Sequence, residues 1–242
     1  MTIAIHPLES ALRPAPDPFA FGDLAAVKFP YADAVVVTYA PGQEVVGEGD
    51  PTENYYLVVR GVFRAVKVTR DGRRQIFAFY MPGDMCGLEP EDTHGLTIEA
   101  VNAGAIAALT RQACRARMAR DPQFNAAIFD NVTRALTHAV DHMTMVGRSS
   151  AEERLAWFLS MLSARSPGRR SASIELTMQR QDIADYLGLT IETVSRTFTH
   201  LKAQGLIALP TTRRIDILRP DLLARLASAD RDAPIRDYRA VC

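Results

Sequence analysis

Between Arg74 and Arg111 this chain has no lysine or arginine, and Glu89, Glu91 and Asp92 fall inside the gap. An anion lodged along that stretch would meet repulsion instead of a charged donor. Cysteine is equally sparse. Cys86, Cys114 and Cys242 are far apart, odd in number and form no C-x-x-C pair, which excludes a disulfide framework and suits a reducing compartment. No run of about 18 apolar residues occurs, and the opening MTIAIHPLESALRPAPDPFAFG lacks a basic segment followed by an apolar one, so a cytoplasmic protein with no membrane partner is expected. A nucleophile elbow, a P-loop and a metal-spaced His/Asp/Glu group are also missing, which argues against an enzyme and against a metal or other cofactor. Net charge is absent too. With 28 Lys plus Arg against 28 Asp plus Glu in 242 residues, any surface for a polyanion must be local.

What is present divides into stretches of different texture. Residues 1–20 hold Pro7, Pro14, Pro16 and Pro18 with little apolar periodicity and read as a flexible lead-in. Residues 21–115 turn to short β-rich runs, VVVTYA, YYLVVRGVFRAVKVT, RQIFAFYM, LTIEAV and AIAAL, punctuated by Gly42, Gly49, Gly61, Gly72 and Gly83. That predicts a compact antiparallel β-domain, with Asp71-Gly72 as its strongest hairpin signal.

A long helical pattern follows Arg111, and residues 116–147 carry its seam. Phe129, Val132, Leu136, Ala139, Met143 and Val146 recur at spacings of 3, 4, 3, 4 and 3, as in a coiled coil that joins two copies of a chain. The same stripe would also serve a helix lying on its own β-domain. Gly147, Arg148, Ser149 and Ser150 break the pattern and form the predicted hinge, with Ser150 placed three before Glu153 as a capping box. Residues 148–220 make a second domain. Its first helix puts Leu155, Phe158, Leu159 and Leu162 on one side, with Trp157 beside them as core. Residues 221–242 remain as a C-terminal tail.

The local basic surface lies in that second domain. Residues 165–220 contain nine Arg or Lys, among them Arg169 and Arg170, against five acids, where a nucleic-acid contact would need them. Gln179–Leu187 reads as a short helix, Gly188-Leu189-Thr190 as a tight turn, and Ile191–Gln204 as a second helix stopped by Gly205. This is the helix-turn-helix order. Ile183, Leu187, Leu189, Val194, Phe198 and Leu201 supply one small core, which leaves Glu192, Ser195 and Arg196 outward near the start of the second helix. Arg forks to guanine O6 and N7, a carboxylate accepts from cytosine N4, and a serine hydroxyl serves either kind of partner. The plainer reading of Glu192 and Arg196 is an exposed i, i+4 pair on a helix surface. Arg180, Thr190, Thr193, His200, Arg213 and Arg214 are candidates for phosphate contacts. Downstream, LIAL and RIDIL flank PTTRR, a β-hairpin wing with arginines at its tip. The expected partner is double-stranded DNA.

With these residues in place, the order of parts resembles the CRP/FNR family of bacterial transcription regulators over about residues 20–220. The resemblance is most specific in DIADYLGLTIETVSR. The E-x-x-S-R form is similar to the FNR and FixK branches rather than to the catabolite activator, which has glycine where Ser195 stands. The resemblance implies an α+β protein: an N-terminal cyclic-nucleotide-binding-like β-roll, a long dimerisation helix and a C-terminal winged helix-turn-helix. It implies a homodimer on a palindrome with TTG-type half-sites, Arg196 and Glu192 addressing the G·C pair and Ser195 the neighbouring thymine, and contacts to RNA polymerase.

Two familiar sensors of that family have no residues here. The Arg-Ser pair that holds a cyclic phosphate is missing from MPGDMCGLEPEDTHGLTIEAV, so cyclic nucleotide is not expected. No cysteine precedes Cys86, so an iron-sulfur cluster of the FNR kind has no ligand set. With these absences the chain resembles the FixK-like branch, and that resemblance implies a ligand-free activator of the kind that serves microaerobic respiration, denitrification or nitrogen fixation. His94 and His6 could in principle ligate haem, but a lone histidine in a polar loop is expected to be solvent-exposed. Cys86 and Cys242 are the candidate redox thiols. Cys86 and Cys114 read first as small β-domain residues, and Cys242 as a terminal thiol whose oxidation would cross-link chains. The competing reading makes the β-domain a receptor for an unidentified ligand that acts on a protein partner.

Overall fold

The computed structural model describes residues 34–148, 150–165 and 173–228. The lead-in, residues 21–33 of the expected β-domain, His6, Arg169, Arg170 and Cys242 lie outside the described residues. The chain divides into two compact units between Leu136 and Thr137.

The first unit is built on strands β1 (Val35–Tyr39), β2 (Glu44–Val46), β3 (Asn54–Arg60), β4 (Phe63–Val68), β5 (Arg74–Tyr80), β6 (Met85–Cys86), β7 (Thr97–Ala100) and β8 (Gly104–Thr110). They form two antiparallel sheets, in the orders β1-β8-β3-β6 and β2-β7-β4-β5. Val46, Tyr56, Val58, Phe63, Cys86, Ile98, Ala100 and Ile106 pack between the sheets. Because strand side chains alternate, Leu57, Val59, Ala105, Ala107 and Leu109 emerge on the other face. There they meet Cys114, Phe124 and Ile128 from the helices that follow. β3 and β8 are therefore apolar on both faces, as YYLVV and AIAAL suggest. Each large side chain so buried contributes on the order of 1.5–3 kcal/mol. The Asp71-Gly72 hairpin joins β4 to β5, with Gly72 at φ 79°. Between β3 and β4 the backbones crowd: a Cβ on Gly61 would lie 2.7 Å from the Gly104 Cα.

The helical stretch after Arg111 is two helices where one long pattern was expected. α1 (Arg111–Met118) is capped by the Thr110 hydroxyl, and α2 (Pro122–Arg148) starts afresh. The Asp121 carboxylate accepts from the amides of Gln123 and Phe124 at 3.1 and 3.0 Å, and proline at the first helical position cannot continue α1.

His94 also departs from expectation. It is 1% exposed. An isolated bridge between Pro51 and Thr93, with His94 N donating to Asp50 O and accepting at its own carbonyl from Gly49 N, both at 2.8 Å, draws the loop inward. The ring then lies beside Tyr56, its Nδ1 3.4 Å from Glu89 Oε2.

The second unit contains α3 (Ala151–Arg165), strand β9 (Ser173–Glu175), α4 (Arg180–Leu187), α5 (Ile191–Ala203), β10 (Ile207–Ala208), β11 (Arg214–Ile217) and α6 (Pro220–Ala227). Ser150 and Glu153 cap α3 reciprocally. Leu155, Trp157, Phe158, Leu159 and Leu162 are all buried, so α3 is the central post of this unit. The wing has three strands in the order β10-β11-β9, one more than the hairpin seen in sequence. The expected tail begins with a helix, since α6 packs its buried Leu223 on this unit.

Candidate nucleic-acid interface

The turn between α4 and α5 sets the presentation of the second helix. Gly188 ends α4 in the left-handed region, φ 63° and ψ 41°, where L side chains are strained. Thr190 then caps α5, its hydroxyl accepting from Thr193 N at 3.2 Å. Val194, Thr197, Phe198 and Leu201 are buried against Ile183 and Leu187. Leu189 is only half-buried.

That packing turns Glu192, Ser195 and Arg196 outward, all exposed within the first two turns. The Glu192 carboxyl is held below its ordinary value by its own backbone amide, the Thr190 hydroxyl and the Arg196 charge. It is therefore an ionised acceptor at the positive end of a helix dipole. The face thus offers one fork of donors, one acceptor and one hydroxyl side by side.

The expected phosphate-contact residues separate into groups. Arg213 and Arg214 are exposed at the wing, and Arg214 Nε is paired with Asp216 Oδ1 at 3.1 Å. The Thr190 and Thr193 hydroxyls meet at the start of α5, 3.1 Å apart. Arg180 is drawn inward. Its guanidinium lies 3.4 Å over the Phe198 ring, Nη2 donates to Thr212 O at 3.3 Å, and burial pushes its pKa down to about 10. It remains charged at neutral pH, as a brace between α4, α5 and the wing. His200 Nδ1 lies 2.6 Å from Glu152 Oε1 of α3. Glu152, Thr193, Arg196, Thr197 and His200 line an open groove beside the reading face.

On α2, the buried residues toward the sheets are Phe124 and Ile128. The stripe assigned to the seam is on another face: Phe129 is 70%, Leu136 64% and Met143 65% exposed. Val132 and Ala139 are exposed as well, and Val146 is half-buried.

Among the described residues the two cysteines, Cys86 and Cys114, are buried. Cys86 lies between the sheets, and burial pushes its thiol well above the ordinary range; burial also raises the Cys114 thiol, with the Arg115 charge opposing. A thiol so placed is neither accessible nor a thiolate, which counts against Cys86 as a redox group.

Sequence reasoning missed several residues that shape this site. Arg154 Nη1 donates to Leu187 O at 2.9 Å, and His142 Nε2 lies 2.8 Å from Tyr186 O. Neither belongs to the periodic apolar pattern, so spacing carried no signal for them.

A β-roll, a long helix and a helix-turn-helix with a wing define a DNA-binding regulator with a sensor-type N-terminal domain. Comparison with known proteins gives the same result. The model for the Crp-like helix-turn-helix domain matches residues 153–226 and that for the cyclic nucleotide-binding domain residues 36–121. The nitrogen fixation regulation protein FixK of Azorhizobium caulinodans is 42% identical over 194 residues, 78% of each chain. That of Rhizobium meliloti is 41% identical, over 80% of this chain and 88% of its own. The solved structure of FixK2 from Bradyrhizobium japonicum superposes with a TM-score of 0.74 at 37% identity, covering 80% of this chain and 96% of that one.

The chain belongs to the CRP/FNR family of transcription regulators. Within it the chain is a FixK-like helix-turn-helix transcription activator, and its relatives are regulators rather than enzymes. Among the described residues no helix is long and apolar enough to cross a membrane.

Proposed function

We propose that this protein acts in the cytoplasm as a homodimer on a palindrome with TTG-type half-sites, contacting RNA polymerase from there. Arg196 and Glu192 address the G·C pair, and Ser195 addresses the neighbouring thymine. The observation that carries this reading is the shared exposed face of those three residues over a buried Val194, Thr197 and Phe198. The exposed stripe from Phe129 to Met143 supports the dimer, because an apolar seam left in water on a long helix is stabilised by a second copy. Arg213, Arg214 and His200 supply phosphate contacts with Thr190 and Thr193, and Arg180 adds charge to the field.

The reading extends to control: the protein binds DNA without cyclic nucleotide or iron-sulfur cluster, in microaerobic, denitrification or nitrogen-fixation gene control. Its support is the closed loop of the β-roll. Thr52 Oγ1 donates to Glu91 O at 2.6 Å, Thr52 N to Asp92 O at 3.0 Å, and Arg111 Nη2 to Gly87 O at 3.1 Å. Arg111 thereby spends its guanidinium on the loop's carbonyls, and Lys67 Nζ, which donates to Gly95 O at 3.2 Å, is paired with Glu48 Oε1 at 2.9 Å.

Substituting Arg196→Ala tests the reading. Affinity for the palindrome should fall by about 1–3 kcal/mol per half-site, with preference lost at the G·C position, while affinity for random duplex changes little. Equal losses on both DNAs would overturn the assignment of Arg196.

A further inference from the structure

α2 runs unbroken to Arg148, but its last turns, from Thr137, belong to the same compact unit as α5. What holds them there is local. The His142 ring stacks on the Tyr186 ring at 4.1 Å and 6°, with Trp157 of α3 at 6.2 Å from His142 and 6.4 Å from Tyr186. One turn on, Met145 is buried.

The hydrogen bond matters more than the stack. Tyr186 and Leu187 lie in the last turn of α4, where carbonyls have no partner inside the helix. Leu189 N takes Ala184 O, Arg154 takes Leu187 O, and the imidazole of His142 takes Tyr186 O. A carbonyl only accepts, so Nε2 carries the proton. The long helix therefore supplies part of the cap of α4, two residues before the glycine that turns the chain into the reading helix.

We propose that His142 is a positioning residue for DNA reading: it ties the C-terminal half of the α2 seam to the end of α4 and so fixes the direction in which α5 leaves the seam. This rests on the dimeric, palindrome-reading function proposed above. In a two-fold dimer that direction sets which half-site spacing both reading helices can reach at once.

The test compares wild type with His142→Phe, which keeps an aromatic ring but no N–H, and His142→Gln, which keeps a donor. Each full-length protein is titrated against palindromes of the preferred spacing, against spacers one and two base pairs longer or shorter, and against random duplex, with thermal unfolding to show that the variant is folded. His142→Phe should lose roughly 3- to 10-fold at the preferred spacing and far less at the others, flattening the spacing profile, and His142→Gln should restore part of it. A folded His142→Phe with the wild-type profile would overturn the proposal. Failure of the underlying reading looks different: wild type itself would not distinguish any palindrome from random duplex. If His142→Phe unfolds, His142→Leu, which also lacks the N–H, takes its place under the same two outcomes: a flattened profile supports the proposal and a wild-type profile overturns it.

Discussion

His94 in the β-roll and His142 in the reading unit are both drawn out of water, and the chain treats them differently. His94 is almost fully buried, and neither ring nitrogen has a hydrogen-bond partner among the described residues; the nearest charge, Glu89 Oε2, sits at 3.4 Å. Backbone bonds on both sides of it keep the loop shut. His142 has a carbonyl to donate to and two aromatic rings to lie against. The β-roll thus closes over the His94 ring without giving it a hydrogen-bond partner, whereas the reading unit uses a buried polar group to fix a helix end and leaves Glu192, Ser195 and Arg196 in water. One region is organised to exclude, the other to present.

The largest effect that would break this contrast comes from the seam. Leu136→Glu places a charge on the exposed apolar stripe, and a dimer seam does not tolerate it. Sedimentation should show monomer, and palindrome affinity should drop by about 100-fold or more because two linked half-site contacts become one. An intact dimer would return the stripe to a plain surface feature. Next come the Arg196 and His142 substitutions described above, which separate reading from positioning.

A smaller effect sharpens the histidine comparison itself. Burial lowers the His142 pKa below 6.5, with the bond to Tyr186 O opposing. The unfolded chain then takes the proton first, so the stability tied to neutral His142 is complete above pH 6.5 and is lost as pH falls toward the lowered folded value. The cations placed near the stack are Arg154, bonded to Leu187 O, and Arg165, whose charge acts on the Tyr186 phenol; burial pushes that phenol far up. Trp157, the only tryptophan of the chain, reports the event directly. Its emission should be quenched by the imidazolium with a midpoint below 6.5, and His142→Phe should remove that step. An unchanged step in the variant would place the titration elsewhere.

Much of this was legible in the sequence because it rests on local rules. Period-two runs gave the strands, Asp71-Gly72 the hairpin, Ser150 and Glu153 the cap, and the spacing of Val194, Phe198 and Leu201 the outward face of α5. Other features had a signal that was passed over. Asp121-Pro122 is a cap followed by proline at the first helical position, and Pro220 also opens α6, there without a side-chain cap from Arg219. The remainder had none. That His94 turns inward depends on a bridge across forty-two residues of sequence to Pro51's side of the loop pairing, formed by Pro51 and Thr93. Arg180 lying on Phe198, and His142 on Tyr186, are meetings of side chains from different helices, which periodicity within one helix does not encode.

The central claim is that the reading face works while the β-roll stays closed. The direct measurement is a footprint of the purified full-length protein on a palindromic promoter with no effector added, repeated with cyclic nucleotide and under air or reductant. Protection of both half-sites without any addition, unchanged by the others, is the predicted result. Protection that begins only when a ligand is supplied would contradict it.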